Sequence, residues 1–266
     1  MIPKQEYIGL ALKNEGFEKL PHADKNITDK LTELYFSYLI PEIKKGESYW
    51  SISRRNEALS SFLNRSITDL VYPYLQFHFD NIKPIVSSFF IKLALTQMVT
   101  PRQDWTFVDG EPNAISFTCW LPLVDTNGAN GMMGFIPGSH NEYKAYHASP
   151  TPSFGFIFLQ SETVFNKIRY IQKKADESVV FNHPGIHAYQ PNKSDNDRST
   201  IGFSFTSMNS RLVHMLLNPG AIPVTLAKKA VDEGYSNIEL KRLFENGSEI
   251  PDYELFEDAV FNRIMV

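Results

Sequence analysis

The stretch Ala114-Ile115-Ser116-Phe117-Thr118-Cys119-Trp120-Leu121-Pro122-Leu123, closed by the turn cluster Asp125-Thr126-Asn127-Gly128, reads as a β-strand and its stop. Aromatic and β-branched side chains suit a pleated backbone, whereas Asp, Asn and Gly supply the conformations of a turn. The same texture extends in both directions. Upstream lies the run Ile85 to Val99, separated from the first stretch by Asp109-Gly110-Glu111-Pro112-Asn113. Downstream lie Gly134 to Ile136, Ser178 to Asn182 and Thr200 to Thr206, the last containing the alternation Ile201-Gly202-Phe203-Ser204-Phe205. Many short strands with turns between them predict an antiparallel sandwich or barrel with helices packed outside, and a double-stranded β-helix, or jelly roll, satisfies that pattern.

Before Pro84 the sequence is helical in character. Asn26-Ile27-Thr28-Asp29 offers caps for a helix carrying Leu31, Leu34, Tyr35, Tyr38 and Leu39 on one face, with further helices expected over Asn56 to Leu63 and Ile67 to Phe77. The stretch Ile222 to Val266 is again expected to be helical, with the acidic segment Glu249 to Asp258 as a solvated face. No linker or charge block divides the chain, so one domain over 1–266 is expected: a helical preface to about residue 83, a jelly-roll core over about 84–210 and a C-terminal helical segment from about 220.

The composition, 42% hydrophobic and 21% charged, is that of a folded globular protein. A net charge of -4 without a Lys/Arg cluster argues against nucleic acid as a partner. The single cysteine, Cys119, excludes an internal disulfide and fits a buried strand position in a reducing compartment. The start, Met1 to Tyr7, has no apolar core of a signal peptide, and the longest apolar run, Ile85 to Leu95, is interrupted by Lys92 and falls short of a membrane span. A cytoplasmic protein that acts on a small molecule is expected, with no membrane partner; a homodimer is left open.

The residues suited to chemistry are far apart in sequence, as in a site assembled on neighbouring strands. Asp104 stands in Pro101-Arg102-Gln103-Asp104-Trp105, and His187 opens His187-Ala188-Tyr189-Gln190-Pro191-Asn192-Lys193-Ser194, followed by Arg198. An imidazole and a carboxylate supply two donors of a non-haem iron site, which normally uses two His and one carboxylate. A guanidinium at Arg198 can hold a carboxylate through its fork.

Here the chain resembles the phytanoyl-CoA dioxygenase family of iron(II)- and 2-oxoglutarate-dependent oxygenases. The resemblance rests on Trp120 to Asp125, Asn130-Gly131, Ile136-Pro137-Gly138-Ser139-His140 and His187 with Asn192, Ser194 and Arg198, and it covers roughly residues 84–206. In that family a His-x-Asp pair and a distal His bind iron, and an Arg eleven residues beyond the distal His binds the distal carboxylate of 2-oxoglutarate; the matches are Asp104, His187 and Arg198. The family's Trp sixteen residues after the Asp, which lines the site, matches Trp120, and Gln97 and Ser194 complete the expected co-substrate-binding set. Fe(II) and 2-oxoglutarate are the cofactors the resemblance implies. The implied reaction is oxidative attack on a C–H bond of a small organic substrate, with decarboxylation of 2-oxoglutarate to succinate.

One position departs from the family. Where the first metal-binding His belongs, this chain has Arg102, whose guanidinium offers donors and no lone pair. Three outcomes are open: His183 completes the metal site; iron is held weakly by Asp104, His187 and 2-oxoglutarate, with water in the vacant position; or metal chemistry is absent and Arg102 pairs with Asp104 or with a bound anion. The last describes a metal-independent or non-catalytic jelly-roll protein that binds an anionic small molecule. His78-Phe79-Asp80 has the His-x-Asp pattern but follows helical spacing and is expected to end a helix, and His140 is expected to be architectural. The aromatic- and proline-rich segment Tyr143 to Phe165 is a candidate lid.

Overall fold

In the computed structural model, residues 2–39, 49–51, 57–104, 107–108, 115–142, 162–212, 214–217 and 253–256 are described. The segment proposed as a lid lies outside them as far as residue 161, as do Trp105 and most of the stretch beyond residue 217. Strand β1 (Ile2–Pro3) is followed by helix α1 (Glu6–Asn14), strand β2 (Phe17–Lys19) and helix α2 (Lys25–Leu34). Asp104 and its neighbours come much later in the chain, so these first elements serve as packing. The Asp24 side chain accepts the Asn26 backbone N–H at the start of α2, and a π-helical turn (Tyr35–Leu39) ends it. After β3 (Tyr49–Trp50) comes α3 (Glu57–His78), whose residues Leu63, Ile67, Val71 and Leu75 recur every fourth position and are fully buried.

The two helices expected between residues 56 and 77 are thus one. The apolar stripe runs unbroken through Arg65 and Ser66, and Pro73 is accommodated within the helix. It stops at His78, where the chain turns into β4 (Phe79–Asp80), paired with β1; the His78-Phe79-Asp80 motif is a helix end.

The remaining strands are β5 (Ile82–Lys92), β6 (Val99–Arg102), β7 (Ser116–Pro122), β8 (Met133–Phe135), β9 (Arg169–Ile171), β10 (Val179–Asn182), β11 (His187–Tyr189) and β12 (Arg198–Ser207), with short helices α4 (Ser139–Glu142) and α5 (Glu162–Phe165). They form a six-stranded sheet in the order β2-β10-β7-β12-β5-β3 and a four-stranded sheet in the order β6-β11-β8-β9, antiparallel throughout. This is the jelly-roll architecture expected from the sequence. Strands β13 (His214–Leu217) and β14 (Tyr253–Phe256) pair with each other. Residues 253–256 therefore correct the helical expectation for the C-terminal stretch; the rest of it lies outside the described residues.

Alternation divides the large sheet into two faces. Phe89, Ile91, Cys119, Leu121, Ile201, Phe203 and Phe205 pack with Leu31, Leu63, Ile67 and Val71 of the helices. The opposite face contributes Phe90, Trp120, Val179 and Phe181, which pack with Met133, Phe135 and Tyr189 of the small sheet. The space between the sheets is where polar side chains gather.

Candidate co-substrate and metal site

Register decides which side chains meet. Across β12 and its neighbours, Arg198 is opposite Lys92, Thr200 opposite Phe90 and Pro122, Gly202 opposite Trp120, and Ser204 opposite Thr118. Cross-strand partners share a face, so Arg198, Lys92, Trp120 and Thr118 all point between the sheets. On the small sheet His187 is opposite Arg102 on one side and Phe135 on the other. The His187 ring lies 4.8 Å from that of Phe181, an interior residue of the large sheet. His187 and Arg102 consequently face the same space, and Asp104, two residues beyond Arg102, reaches it too.

At one end, Arg198 is 0% exposed and sits among Tyr189, Trp120 and Phe90, with its guanidinium carbon 5.0, 5.4 and 5.6 Å from the three ring centroids. One nitrogen, Nη1, donates to the Gly131 carbonyl at 2.5 Å. Nε and Nη2 are buried without a hydrogen-bond partner, as is Trp120 Nε1. Beside it Lys92, also 0% exposed, donates from Nζ to the Gln97 carbonyl at 2.5 Å. Burial, then the charges of Arg198 and Arg102, push the Lys92 ammonium down to about 8, and burial pushes Arg198 down to about 10.

The motifs flanking this end are structural. Asn192 donates from Nδ2 to the carbonyls of Lys92, Leu93 and Asn196 and accepts from the Ser194 amide and hydroxyl, tying the β11–β12 turn to the end of β5. Gly131 has φ +91°, and a Cβ there would lie 2.7 Å from the Gln190 carbonyl oxygen and 3.0 Å from the Lys92 side chain. The Ser194 hydroxyl is thus engaged within the turn. Gln97 lies on the connection between β5 and β6 rather than on a strand, its side chain is exposed, and it serves the site through its carbonyl. His140 is bound through Nε2 to the Lys13 carbonyl under α1, away from the site.

At the other end, Asp104 Oδ1 lies 3.5 Å from His187 Nε2, with the Asp104 side chain 22% exposed and His187 1%. His187 Nδ1 lies 3.1 Å from the Gly185 carbonyl, which can only accept, so the proton of the neutral ring is on Nδ1 and Nε2 carries a lone pair. Burial, opposed by the Asp104 charge and reinforced by Arg102, holds His187 below its ordinary value. For Asp104 burial acts upward, but His187, His183, Arg102 and the Thr118 hydroxyl outweigh it and keep the carboxyl below its usual range. Two acceptors therefore face each other, the arrangement a cation between them relieves.

His183 is not part of that pair. Its Nδ1 lies 2.7 Å from Ser116 Oγ and its Nε2 2.9 Å from Thr118 Oγ1, while Thr118 donates to Asp104 Oδ2 at 2.9 Å. The single Thr118 proton goes to the carboxylate, so His183 donates from Nε2 and accepts from Ser116 at Nδ1. Burial pushes His183 down to about 4, and the ring is a neutral brace behind Asp104.

Arg102 is half-buried, and its guanidinium carbon lies 4.8 Å from the centroid of the Trp50 ring. The basic side chain within 4 Å of the Asp104 carboxylate is the His187 ring, not the Arg102 guanidinium, which corrects the expectation of an Arg102–Asp104 salt bridge. Among the described residues no three His, Cys, Asp or Glu side chains are placed to hold one metal ion. The residues therefore fit the two cofactors unequally. The unpaired donors on Arg198 suit a carboxylate of 2-oxoglutarate. The iron triad is not met, because two donors face a guanidinium in the third place. A divalent ion about 5 Å from such a charge is repelled by roughly 7 kcal/mol at an effective dielectric near 20.

A family model matches the chain over this core. Residues 77–200 match the phytanoyl-CoA dioxygenase (PhyH) family. The resemblance seen in the sequence is thus shown, and the core is PhyH-like. Phytanoyl-CoA dioxygenase domain-containing protein 1 of Danio rerio is 30% identical over 110 residues, 40% of this chain and 38% of that protein. Its homolog in Dictyostelium discoideum is 23% identical over 208 residues, 76% of this chain and 63% of that protein. The chain thus spans less than two thirds of either relative.

Among solved structures, the non-heme alpha-ketoglutarate-dependent epimerase SnoN from nogalamycin biosynthesis aligns with TM-score 0.54 and 16% identity, covering 78% of this chain and 82% of SnoN. EctD from S. alaskensis, solved with 2-oxoglutarate and 5-hydroxyectoine, aligns with TM-score 0.55 and 16% identity, covering 79% of this chain and 78% of EctD. At such identities the likeness establishes the cupin-like, jelly-roll fold alone. No described helix is long and apolar enough to cross a membrane.

Sequence reasoning missed Lys92 as a site residue. Its signal was the charge itself, a lone ammonium inside an apolar strand, used only to argue against a membrane span.

Proposed function

We propose that this chain binds 2-oxoglutarate between the two sheets, with the distal carboxylate on Arg198, as a member of the oxygenase lineage its core resembles. The observation that carries this is the pair of buried, unpaired N–H donors on Arg198, enclosed by Tyr189, Trp120 and Phe90. A buried cation without a counter-ion is costly, and a carboxylate on its free edge offsets that cost with charge-assisted hydrogen bonds. Lys92 adds a second positive charge at the same end, and the aromatic walls exclude water.

Oxidation of a C–H bond in a small organic substrate is the reaction the family supports, and among the described residues Asp104 and His187 are the pair that would hold its metal. Calorimetric titration of the full chain with 2-oxoglutarate tests the binding, and succinate release with added Fe(II) tests the reaction. Saturable binding that Arg198→Gln removes is the expected result. Absence of binding at millimolar 2-oxoglutarate, with the protein folded, overturns the proposal.

A further inference from the structure

The place of Arg102 carries a more specific conclusion, which rests on the binding of a carboxylate by Arg198. We infer that Arg102 takes over the anchoring role of a metal: the pocket clamps a dicarboxylate dianion of the 2-oxo acid class between two guanidinium groups, without a metal ion.

Four observations converge on it. Arg102 is directly opposite His187 in register, so its side chain enters the space where the third iron donor would stand. Its guanidinium carbon lies 4.8 Å from the centroid of the Trp50 ring, which is itself opposite Phe90, a wall of the Arg198 box; the Trp50 and Phe90 rings are 5.7 Å apart. An edge-to-face aromatic pair, Trp50 and Phe90, therefore lies between the two guanidinium groups. Asp104, the carboxylate nearest in sequence, is turned to His187 and Thr118 rather than to Arg102.

The charge balance points the same way. Three basic side chains, Arg198, Lys92 and Arg102, share the space with one carboxylate among the described residues, that of Asp104. Two positive charges remain. A dianion neutralises that excess; a divalent cation would double it.

The experiment is calorimetry on the full chain, stripped with EDTA, titrated with 2-oxoglutarate and repeated with Mn(II) in place of EDTA. Wild type is expected to bind in EDTA, with Mn(II) changing the affinity less than twofold. Arg102→Gln is expected to weaken binding at least tenfold with an unchanged circular dichroism spectrum, and Arg102→Lys to recover part of it. Arg102→His is expected to bind 2-oxoglutarate tightly only when Mn(II) is present. Wild-type binding that requires Mn(II), or Arg102→Gln binding like wild type in EDTA, overturns the clamp while leaving the role of Arg198 intact. Loss of sensitivity to Arg198→Gln would instead remove the underlying carboxylate site.

Discussion

Arg198 and Arg102 both turn a guanidinium into the space between the sheets, yet their surroundings differ. Arg198 is fully buried in a ring of three aromatic side chains, one nitrogen fixed by a backbone carbonyl and two left unpaired. Arg102 is half-buried and lies on one aromatic face. The first setting is rigid and dry, so its charge acts at low dielectric and its geometry is set before any ligand arrives. The second is wetter and freer to adjust. The contrast suggests that the Arg198 end supplies most of the affinity and the Arg102 end decides whether a metal takes part.

The sharpest way to break that contrast is Arg198→Gln. Removing the fork is expected to cost roughly 4 kcal/mol of 2-oxoglutarate affinity, close to a thousandfold, because a charged pair in a closed pocket is lost. Thermal unfolding of the same variant without ligand should not show a matching loss, since the substitution also removes an uncompensated buried cation. A variant that binds within threefold of wild type in calorimetry would show that Arg198 is a packing residue.

Arg102→His probes the opposite end. A neutral imidazole beside Asp104 and His187 restores a three-donor set and deletes the repelling charge, so Mn(II) affinity should rise roughly hundredfold or more. Mn(II) electron paramagnetic resonance measures it directly, and succinate release on adding Fe(II) and 2-oxoglutarate reports whether the remaining site is competent. An unchanged Mn(II) affinity would mean that the Asp104–His187 pair is not oriented for a metal.

These ends were not equally legible in the sequence. The His187, Asn192, Arg198 spacing carried the Arg198 end because it encodes a strand, a side-chain-stapled turn and a second strand, all set by local chemistry. Arg102 could be read only as a departure; its contact with Trp50 depends on β3 joining the edge of β5, a pairing across some 40 residues that local pattern does not specify. The apolar run that continues past Lys92 predicts a strand through Gln97, whereas the strand stops at Lys92 and the chain turns. His183 looked like a ligand four residues from His187, but Ser116 and Thr118, inward-facing on β7, take both of its nitrogens. A period-two pattern gives the face of a residue, not which partner on the neighbouring strand claims it.

Lys92 sharpens the comparison within the Arg198 end. Its ammonium lies directly across β12 from Arg198, and burial with those neighbouring charges brings it from 10.5 to about 8. A lysine whose folded value is lowered destabilises the native state fully below about pH 8, and stability recovers as pH rises from there toward its ordinary value. Lys92→Met should therefore raise apo stability near neutral pH by roughly 3 kcal/mol in urea unfolding and remove that pH dependence. Affinity for 2-oxoglutarate should fall in wild type as pH passes about 8 and stay flat in the variant. A variant no more stable than wild type would show that water already relieves the buried ammonium.

The smallest effect is expected behind Asp104. Thr118 donates to Oδ2 at 2.9 Å and leaves Oδ1 turned toward His187, so the hydroxyl both lowers the carboxyl pKa and aims it. A carboxylate held below its ordinary value stabilises the fold above the usual carboxylate range, and that contribution disappears as acid protonates the native state. Thr118→Val keeps the shape of the side chain and removes the donor, at a cost of about 1 to 2 kcal/mol near neutral pH. The cost should shrink on acidification, because both proteins then lose the charged form the hydroxyl favours. Carboxyl carbon NMR titration of Asp104 would show its pKa moving up in the variant. If stability falls but that pKa stays fixed, the hydroxyl serves His183 and Ser204 rather than the carboxylate, and the orientation of Asp104 must come from its backbone bond to the His183 carbonyl.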